Sequence, residues 1–324
     1  MFRRRSNHNK DVSSNEKIAF LFPGQGSQYV GMGKDLYDHF KVARETFDEA
    51  DEALQLKISK LCFEGPWEDL KLTINTQPAI LTVSVSALRA LQLETGLSPT
   101  LLAGHSLGEY SALVAGNAIN FPDAVRVVRS RGQFIQEAVP VGKGGVGVVL
   151  GLDEAVVKSI CEEEAQGEVI TPANFNCPGQ IAISGHLSAV KRVISLARKR
   201  GAKGAALIPV SAPIHSPLME SAGRRLGEFL RGITINDACV PVVSNVDARP
   251  HTSRTKIKKL LIQHVSNPVQ WEESMRTMLS QSIIRFIEIG PGKVLSGLFK
   301  WINPDVTLAN VEGIESIKRI KSLQ

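Results

Sequence analysis

The chain is short of several things, and each shortage removes a class of protein. No apolar run approaches the ~20 residues that a membrane span requires. Apolar residues make up 43% and charged residues 22%, near the averages for globular chains, so a disordered or collagen-like polymer is excluded. Only four cysteines occur, Cys62, Cys161, Cys177 and Cys239, spaced 99, 16 and 62 residues apart. They make neither a CxxC pair nor a zinc-type cluster, and a reduced, cytoplasmic protein without a structural metal is expected. Internal repeats and low-complexity segments are absent. A strong charge of one sign is lacking as well. The net charge is +6, and residues 1–17 account for half of it, with Arg3, Arg4, Arg5, Lys10 and Lys17 against Asp11 and Glu16. The remainder is too dilute for a nucleic-acid stripe, though it favours anionic partners such as coenzyme phosphates or an acidic protein.

What is present suggests two structural parts, since 324 residues is about twice the usual domain length of roughly 150. Residues 1–17 are polar, without the apolar stretch of a secretory signal, and read as a disordered basic tail. Import into an organelle through this tail is the alternative, although Asp11 and Glu16 are unusual in such a peptide. Organised chain begins at Ile18-Ala19-Phe20-Leu21-Phe22, a buried-strand pattern closed by Pro23 and Gly24. Comparable runs at 101–103, 240–246 (interrupted by Pro241) and 286–289 are separated by amphipathic stretches such as 79–93 and 217–230. Strands alternating with helices predict an α/β protein with a mostly parallel sheet.

The middle of the chain has a different rhythm. Strands at 146–150, 168–173, 180–184 and 205–208 and helices at 153–164 and 187–200 give the order βαββαβ, which is ferredoxin-like. The preceding Gly142-Lys143-Gly144-Gly145 suits a hinge. A small domain over residues 139–210 is therefore expected as an insertion into a larger α/β part built from residues 18–138 and 211–324.

Gly104-His105-Ser106-Leu107-Gly108 matches G-x-S-x-G and stands between the strand at 101–103 and a predicted helix at 107–115, where a nucleophile elbow belongs. Glycines on either side permit a sharp turn that lifts the Ser106 hydroxyl into the open and aims the next N–H, that of Leu107, at a reacting carbonyl. The competing reading of these five residues is a structural turn. A serine needs a base, and seven histidines are available. His8 lies in the tail, His39 and His186 border surface helices, and His105 points away from Ser106. His215 precedes Ser216-Pro217, a helix start, where positive potential favours neutral imidazole. Packing or capping would also account for it, and His251 and His264 stay open as candidates. No acid stands where an ordinary esterase places one between serine and histidine in chain order, so a backbone carbonyl is the expected orienting group, or none.

Gly24-Gln25-Gly26 follows the first strand but lacks the third glycine of a dinucleotide fingerprint, Tyr29 standing in its place, and no phosphate loop occurs. The loop is suited to aiming a backbone N–H, such as that of Gln25, at an oxyanion, unless it is a plain surface turn. Arg126, Arg129 and Arg131 share the predicted helix at 122–138. They read as a solvated face, or one of them turns inward to clamp a substrate carboxylate.

Taken together, Phe22-Pro-Gly-Gln-Gly-Ser-Gln28, Gly104-His-Ser-Leu-Gly-Glu-Tyr110, Arg131-Gly-Gln-Phe-Ile-Gln-Glu-Ala138, Asn174-Phe-Asn176, His215, Asn267-Pro-Val-Gln-Trp271 and Glu288-Ile-Gly-Pro-Gly-Lys-Val294 resemble the malonyl-coenzyme A:acyl carrier protein transacylase family in content and order. The resemblance covers nearly the whole chain after Lys17. It implies an α/β-hydrolase-like core with a ferredoxin-like insertion, and ping-pong transfer of malonyl from malonyl-CoA to the phosphopantetheine thiol of holo acyl carrier protein for fatty acid synthesis. By matching motif it implies Ser106 as nucleophile, His215 as general base, Arg131 as carboxylate clamp, and Gln25 and Leu107 as oxyanion-hole amides. It also implies that the backbone carbonyl of His264, where the family usually has glutamine, orients His215. Two further departures are Cys177, where serine is common, and Ile214, which bears on acyl selectivity. No metal or redox cofactor is implied, the coenzyme A thioester being a substrate. A monomer without membrane or nucleic-acid partners is expected. The rival readings are a freestanding acyltransferase serving a polyketide synthase, a serine thioesterase, and a non-catalytic carrier-binding protein.

Overall fold

The chain builds two sheets, and the way they are strung decides which residues meet. The computed structural model describes residues 17–210 and 212–323. The expected disordered tail at 1–17 lies outside the described residues except for Lys17.

The larger sheet has six strands. In chain order they are β1 (Ile18–Phe22) and β2 (Leu101–Gly104), then, after four strands of the other sheet, β7 (Val242–Val243), β8 (Pro250–His251), β9 (Arg285–Ile289) and β10 (Thr307–Val311). The spatial order is β10-β9-β1-β2-β7-β8, parallel throughout except for the β7–β8 pair. β1 lies at the centre, and all five of its side chains are buried. Its uninterrupted apolar sequence follows from helices covering both faces of a parallel sheet. Register pairs Phe22 with Gly104, so β1 and β2 end side by side and their following loops share one edge.

The second sheet comprises β3 (Gly144–Leu150), β4 (Ile170–Cys177), β5 (Gln180–His186) and β6 (Gly204–Ile208), in spatial order β4-β5-β3-β6 and wholly antiparallel. Helices Glu154–Ala165 and Leu187–Lys199 cover one face around a core of their own that includes Val157, Ile160, Ile183 and Val193. β4 reaches the larger part through Val269, whose N–H donates to Ala173 O at 2.8 Å and whose C=O accepts from Phe175 N at 2.9 Å.

Four local expectations are corrected. The segment 240–246 forms a strand only at Val242–Val243, because Pro241 removes a ladder donor and the residues beyond Val243 turn into the site. Of the flexible stretch expected at 142–145, Gly144 and Gly145 are the first residues of β3, paired with His186 and Gly185, and only Gly142 and Lys143 remain in a turn; ladder pairing outweighs the flexibility expected of these two glycines. The stretch 79–93 belongs to a longer helix, Thr73–Thr95, that is buried on almost every side rather than amphipathic. Helices Lys41–Leu54 and Phe121–Ala138 pack around it, so its polar positions Thr82, Ser84 and Ser86 lie in the core. Ser216 does not cap the next helical turn with its side chain; its hydroxyl donates to Pro213 O at 2.6 Å and tightens the loop carrying His215.

Candidate active site

Ser106 sits between β2 and helix Gly108–Ala115 with φ of 50°, a left-handed conformation that costs a non-glycine residue ~1–3 kcal/mol. Two close approaches impose it. A Cβ on Gly104 would fall 1.9 Å from the Gly108 carbonyl, and one on Gly108 would fall 2.1 Å from Phe22 O. Both positions therefore require glycine, and the turn presses against the end of β1. The first N–H groups of the following helix are taken up within the turn, Gly108 N donating to His105 O at 2.9 Å and Glu109 N to Ser106 O at 3.1 Å.

His215 shares this unusual backbone, with φ of 62°. Its Nε2 lies 2.8 Å from Ser106 Oγ, and its Nδ1 lies 2.8 Å from His264 O and 3.2 Å from Asn267 O. Carbonyls only accept, so Nδ1 carries the proton and the Nε2 lone pair faces the serine hydroxyl. His215 is held down to a pKa of about 3, first by burial and then by the nearby Arg131 charge, against the pull of the two carbonyls. At neutral pH the ring is an uncharged proton acceptor. The helix N-terminus suggested by sequence is thus a lesser influence than burial and Arg131.

Arg131 alone of the three helix arginines turns inward. Arg126 pairs with Asp123 at the surface, and Arg129 reaches Asn75. Arg131 is 1% exposed. Its Nη1 donates to Gln77 Oε1 at 2.8 Å and its guanidinium lies 5.8 Å from the Tyr110 ring centroid, while Nε and Nη2 have no protein acceptor among the described residues. Buried unpartnered guanidinium donors call for an anion. The backbone N–H groups of Gln25 and Leu107 likewise donate to no acceptor among the described residues. The Gln25 side chain accepts from Thr73 Oγ1 at 3.1 Å, which steadies the loop.

A cleft of about 310 Å³ lies between the two sheets, lined by Gln25, Ser106, Ile214 and His215 from the larger part and by Val146 and Asn174 from β3 and β4, and the buried Arg131 lies close enough for its charge to act on His215. His105, set aside as a base, points away from Ser106. Its Nε2 is 2.9 Å from Asn176 Oδ1 and its ring meets Trp271 edge-on. His251 is also excluded from the dyad, since it pairs with Asp247. His264 contributes its carbonyl while its ring stacks on His215 at 5.0 Å. Cys177 is buried near Trp271 and Val269, and all four cysteines are free thiols.

Three residues in this neighbourhood were missed in the sequence. Asn245, just beyond β7, accepts from Ser106 N and donates to Gly104 O, both at 2.7 Å. Glu109 is buried under the elbow and accepts from Asn245 N at 3.0 Å. Glu288, at the end of β9, takes the N–H groups of Leu295 and Ser296 at 2.9 and 2.7 Å, anchoring helix Val294–Ile302, whose Val294, Leu295 and Leu298 reach the cleft. Glu288 meets that helix start from within a strand, and these partners of Asn245 lie over 130 residues away, so no local capping pattern marks these roles.

Comparison with known proteins agrees with this geometry. Residues 19–300 match the acyl transferase domain family. The chain is 49% identical over 303 residues to the malonyl CoA-acyl carrier protein transacylase of Bacillus subtilis, covering 93% of this chain and 95% of the relative. The solved structure of the corresponding Coxiella burnetii transacylase superposes with a TM-score of 0.93 at 43% identity, covering 95% of this chain and 97% of that one. A malonyl-transacylase solved in complex with its type II PKS acyl-carrier protein gives a TM-score of 0.93 at 41% identity, covering 95% of this chain and all of that one. With these matches spanning both sheets and the cleft between them, the chain belongs to the acyl transferase domain family and, within it, to the malonyl CoA-acyl carrier protein transacylases.

Proposed function

We propose that this acyltransferase moves a malonyl group from malonyl-CoA to the phosphopantetheine thiol of holo acyl carrier protein through an ester on Ser106, supplying fatty acid synthesis. The observation that carries this reading is the buried Arg131, with two free donors, on the same site as a serine hydroxyl 2.8 Å from a neutral imidazole. A carboxylate-bearing acyl group satisfies the first and a thioester carbonyl suits the second.

His215 Nε2 takes the hydroxyl proton as Ser106 Oγ attacks the thioester carbonyl. The N–H groups of Gln25 and Leu107 hold the negative charge that develops on the carbonyl oxygen. Collapse breaks the C–S bond, and the departing coenzyme A thiolate takes the proton from His215. The carrier's thiol then gives its proton to His215 and attacks the ester, and Ser106 leaves with that proton. The carbonyls of His264 and Asn267 hold the ring in one tautomer while it cycles between neutral and charged forms. A malonyl carboxylate on Arg131 also offsets the charge that opposes His215 protonation, so the substrate itself raises the basicity of its catalyst. Ile214, lining the cleft directly before His215, sets the room for the acyl chain. No step calls for a metal or redox cofactor.

The same reading takes residues 18–138 and 211–324 as one α/β-hydrolase-like domain, supported by the elbow at the end of a parallel strand, and 139–210 as a ferredoxin-like one, supported by the βαββαβ order and β4-β5-β3-β6 arrangement. One chain supplies every group named, in keeping with action as a monomer, and four free thiols suit the cytoplasm. Intact-mass measurement tests the function. Malonyl-CoA should add one malonyl group to the protein, holo carrier should remove it, and Ser106→Ala should take none. Decay to free malonate without carrier would mark a thioesterase instead.

A further inference from the structure

Five residues drawn from distant segments close a ring of contacts behind the cleft. Ser106 N donates to Asn245 Oδ1 (2.7 Å), and Asn245 N donates to Glu109 Oε2 (3.0 Å). The same Glu109 oxygen lies 3.4 Å from His264 Nδ1. His264 O accepts from His215 Nδ1 (2.8 Å), and His215 Nε2 returns to Ser106 Oγ (2.8 Å). We propose that Asn245 and Glu109 are positioning residues that latch the Ser106 elbow in register with its base. The proposal rests on the reading of Ser106 as the acylated residue.

The chemistry of each member supports the latch. Ser106 holds left-handed backbone and needs its neighbours to keep it there. The Asn245 amide does so by engaging both the Ser106 N–H and the Gly104 C=O, a pairing that requires one acceptor and one donor on the same side chain. By occupying the Ser106 N–H it also leaves the next one, that of Leu107, as the donor free for the oxyanion. Asn245 is itself held on both sides of its backbone, its N–H by Glu109 and its C=O by Gln270 N at 2.8 Å. Glu109 is 3% exposed, and burial is the largest influence on its carboxyl, raising it to about 7. A carboxyl kept in so costly a place has a structural task, and the acceptor it offers Asn245 survives whether or not it is ionised. The His264 ring, stacked on His215 with both nitrogens lacking a hydrogen bond among the described residues, closes the circuit by contact.

The test follows the rate of Ser106 phosphonylation by a fluorophosphonate, in which the O–P bond forms and fluoride leaves, together with kcat and KM for malonyl-CoA, all per reactive serine. Glu109→Ala should slow phosphonylation and lower kcat by roughly 10- to 100-fold with KM little changed, the size of effect expected of a small misplacement of reacting atoms. Glu109→Gln, which keeps the acceptor, should recover most of that rate. Asn245→Ala should be at least as slow as Glu109→Ala, and the double variant no slower than Asn245→Ala, because the acid acts through the amide. Asn245→Asp should not recover, since it cannot donate to Gly104 O. A wild-type rate in Glu109→Ala, a Glu109→Gln as slow as Glu109→Ala, or losses that multiply in the double variant would each overturn the latch. A wild-type protein that is phosphonylated but takes no malonyl group would defeat the substrate reading while leaving the latch tested.

Discussion

His215 Nε2 stands 2.8 Å from Ser106 Oγ across 109 residues of chain, and both residues hold left-handed backbone at φ of 62° and 50°. Two strained residues facing each other mark a geometry imposed by the surrounding structure. Such a dyad acts as a unit, so removing either member removes nearly all of its contribution. Ser106→Ala should abolish loading, and His215→Ala should slow it on the order of 10⁴-fold or more. The double variant should be no worse than the Ser106 variant. Rapid-quench measurement of the malonyl ester checks this, and a His215 variant that loads within tenfold of wild type would remove it from the base role.

Arg131 predicts selectivity more than rate. Its unpartnered Nε and Nη2 await an anion, so Arg131→Ala should cost malonyl transfer roughly 100-fold, in line with losing a buried charge-assisted pair. Acetyl transfer, which offers no carboxylate, should change little or improve. Arg131→Lys should restore only part of the malonyl rate, because a point charge cannot reproduce the planar fork. Competition between malonyl-CoA and acetyl-CoA measures the ratio directly, and equal losses for both would refute the clamp.

Those two predictions draw on different amounts of sequence information. The elbow is local chemistry: two glycines and a serine in five residues after an apolar strand, and the strand, turn and helix stand where the pattern puts them. The small sheet was legible for the same reason, since its order of elements is written in short-range periodicity. What brings Arg131 inward while Arg126 and Arg129 face out is the packing of helix Phe121–Ala138 on the buried helix Thr73–Thr95, and residue pattern alone leaves all three equivalent. His215 was one of several histidines until the family resemblance singled it out. Asn245 lies outside every motif and Glu109 inside the elbow motif, but the role of each lies in partners far along the chain. The shortened strand at 240–246 and the pairing of Gly144 and Gly145 into β3 share a cause: which residues join a ladder is decided by the neighbouring strands as well as by propensity.

Gly108 tests how the elbow is held against the sheet. A methyl group there would lie 2.1 Å from Phe22 O and 2.8 Å from Phe22 C, both backbone atoms of the central strand that cannot step aside. Gly108→Ala should destabilise the fold by roughly 2–4 kcal/mol through overpacking and should impair acylation further, since any relief moves Leu107 N–H. Gly232→Ala is the matched control for surface glycine replacement, because nothing lies within 4 Å of its added carbon and its backbone is not left-handed. Thermal unfolding of the pair reads the difference, and equal melting temperatures would mean that the turn relaxes freely.

The pH behaviour follows from the two buried groups with opposite shifts. Burial and then Arg131 hold His215 down to about 3, so the base stays neutral far below the pH at which free imidazole protonates. With the free enzyme, kcat/KM should therefore show no acid limb from His215 near 6.5. Arg131→Ala removes one of the opposing charges, and its limb, measured with acetyl-CoA, should move to higher pH. Stability carries the same signature with a definite sign. Below 6.5 the unfolded chain gains a proton on His215 that the folded one refuses, so folding loses up to about 1.4 kcal/mol per pH unit as pH falls toward 3. Glu109 works the other way. Raised from 4.5 to about 7, it keeps a proton that the unfolded chain releases, so its protonation favours folding below 4.5 and that contribution is lost as pH rises through 7. Denaturant midpoints between pH 4 and 8 should then separate the two. His215→Gln should flatten the acid side, Glu109→Gln should remove the fall between 4.5 and 7 and so steepen the net rise of stability with pH there, and unchanged slopes in both would mean that neither group is shifted in the folded protein.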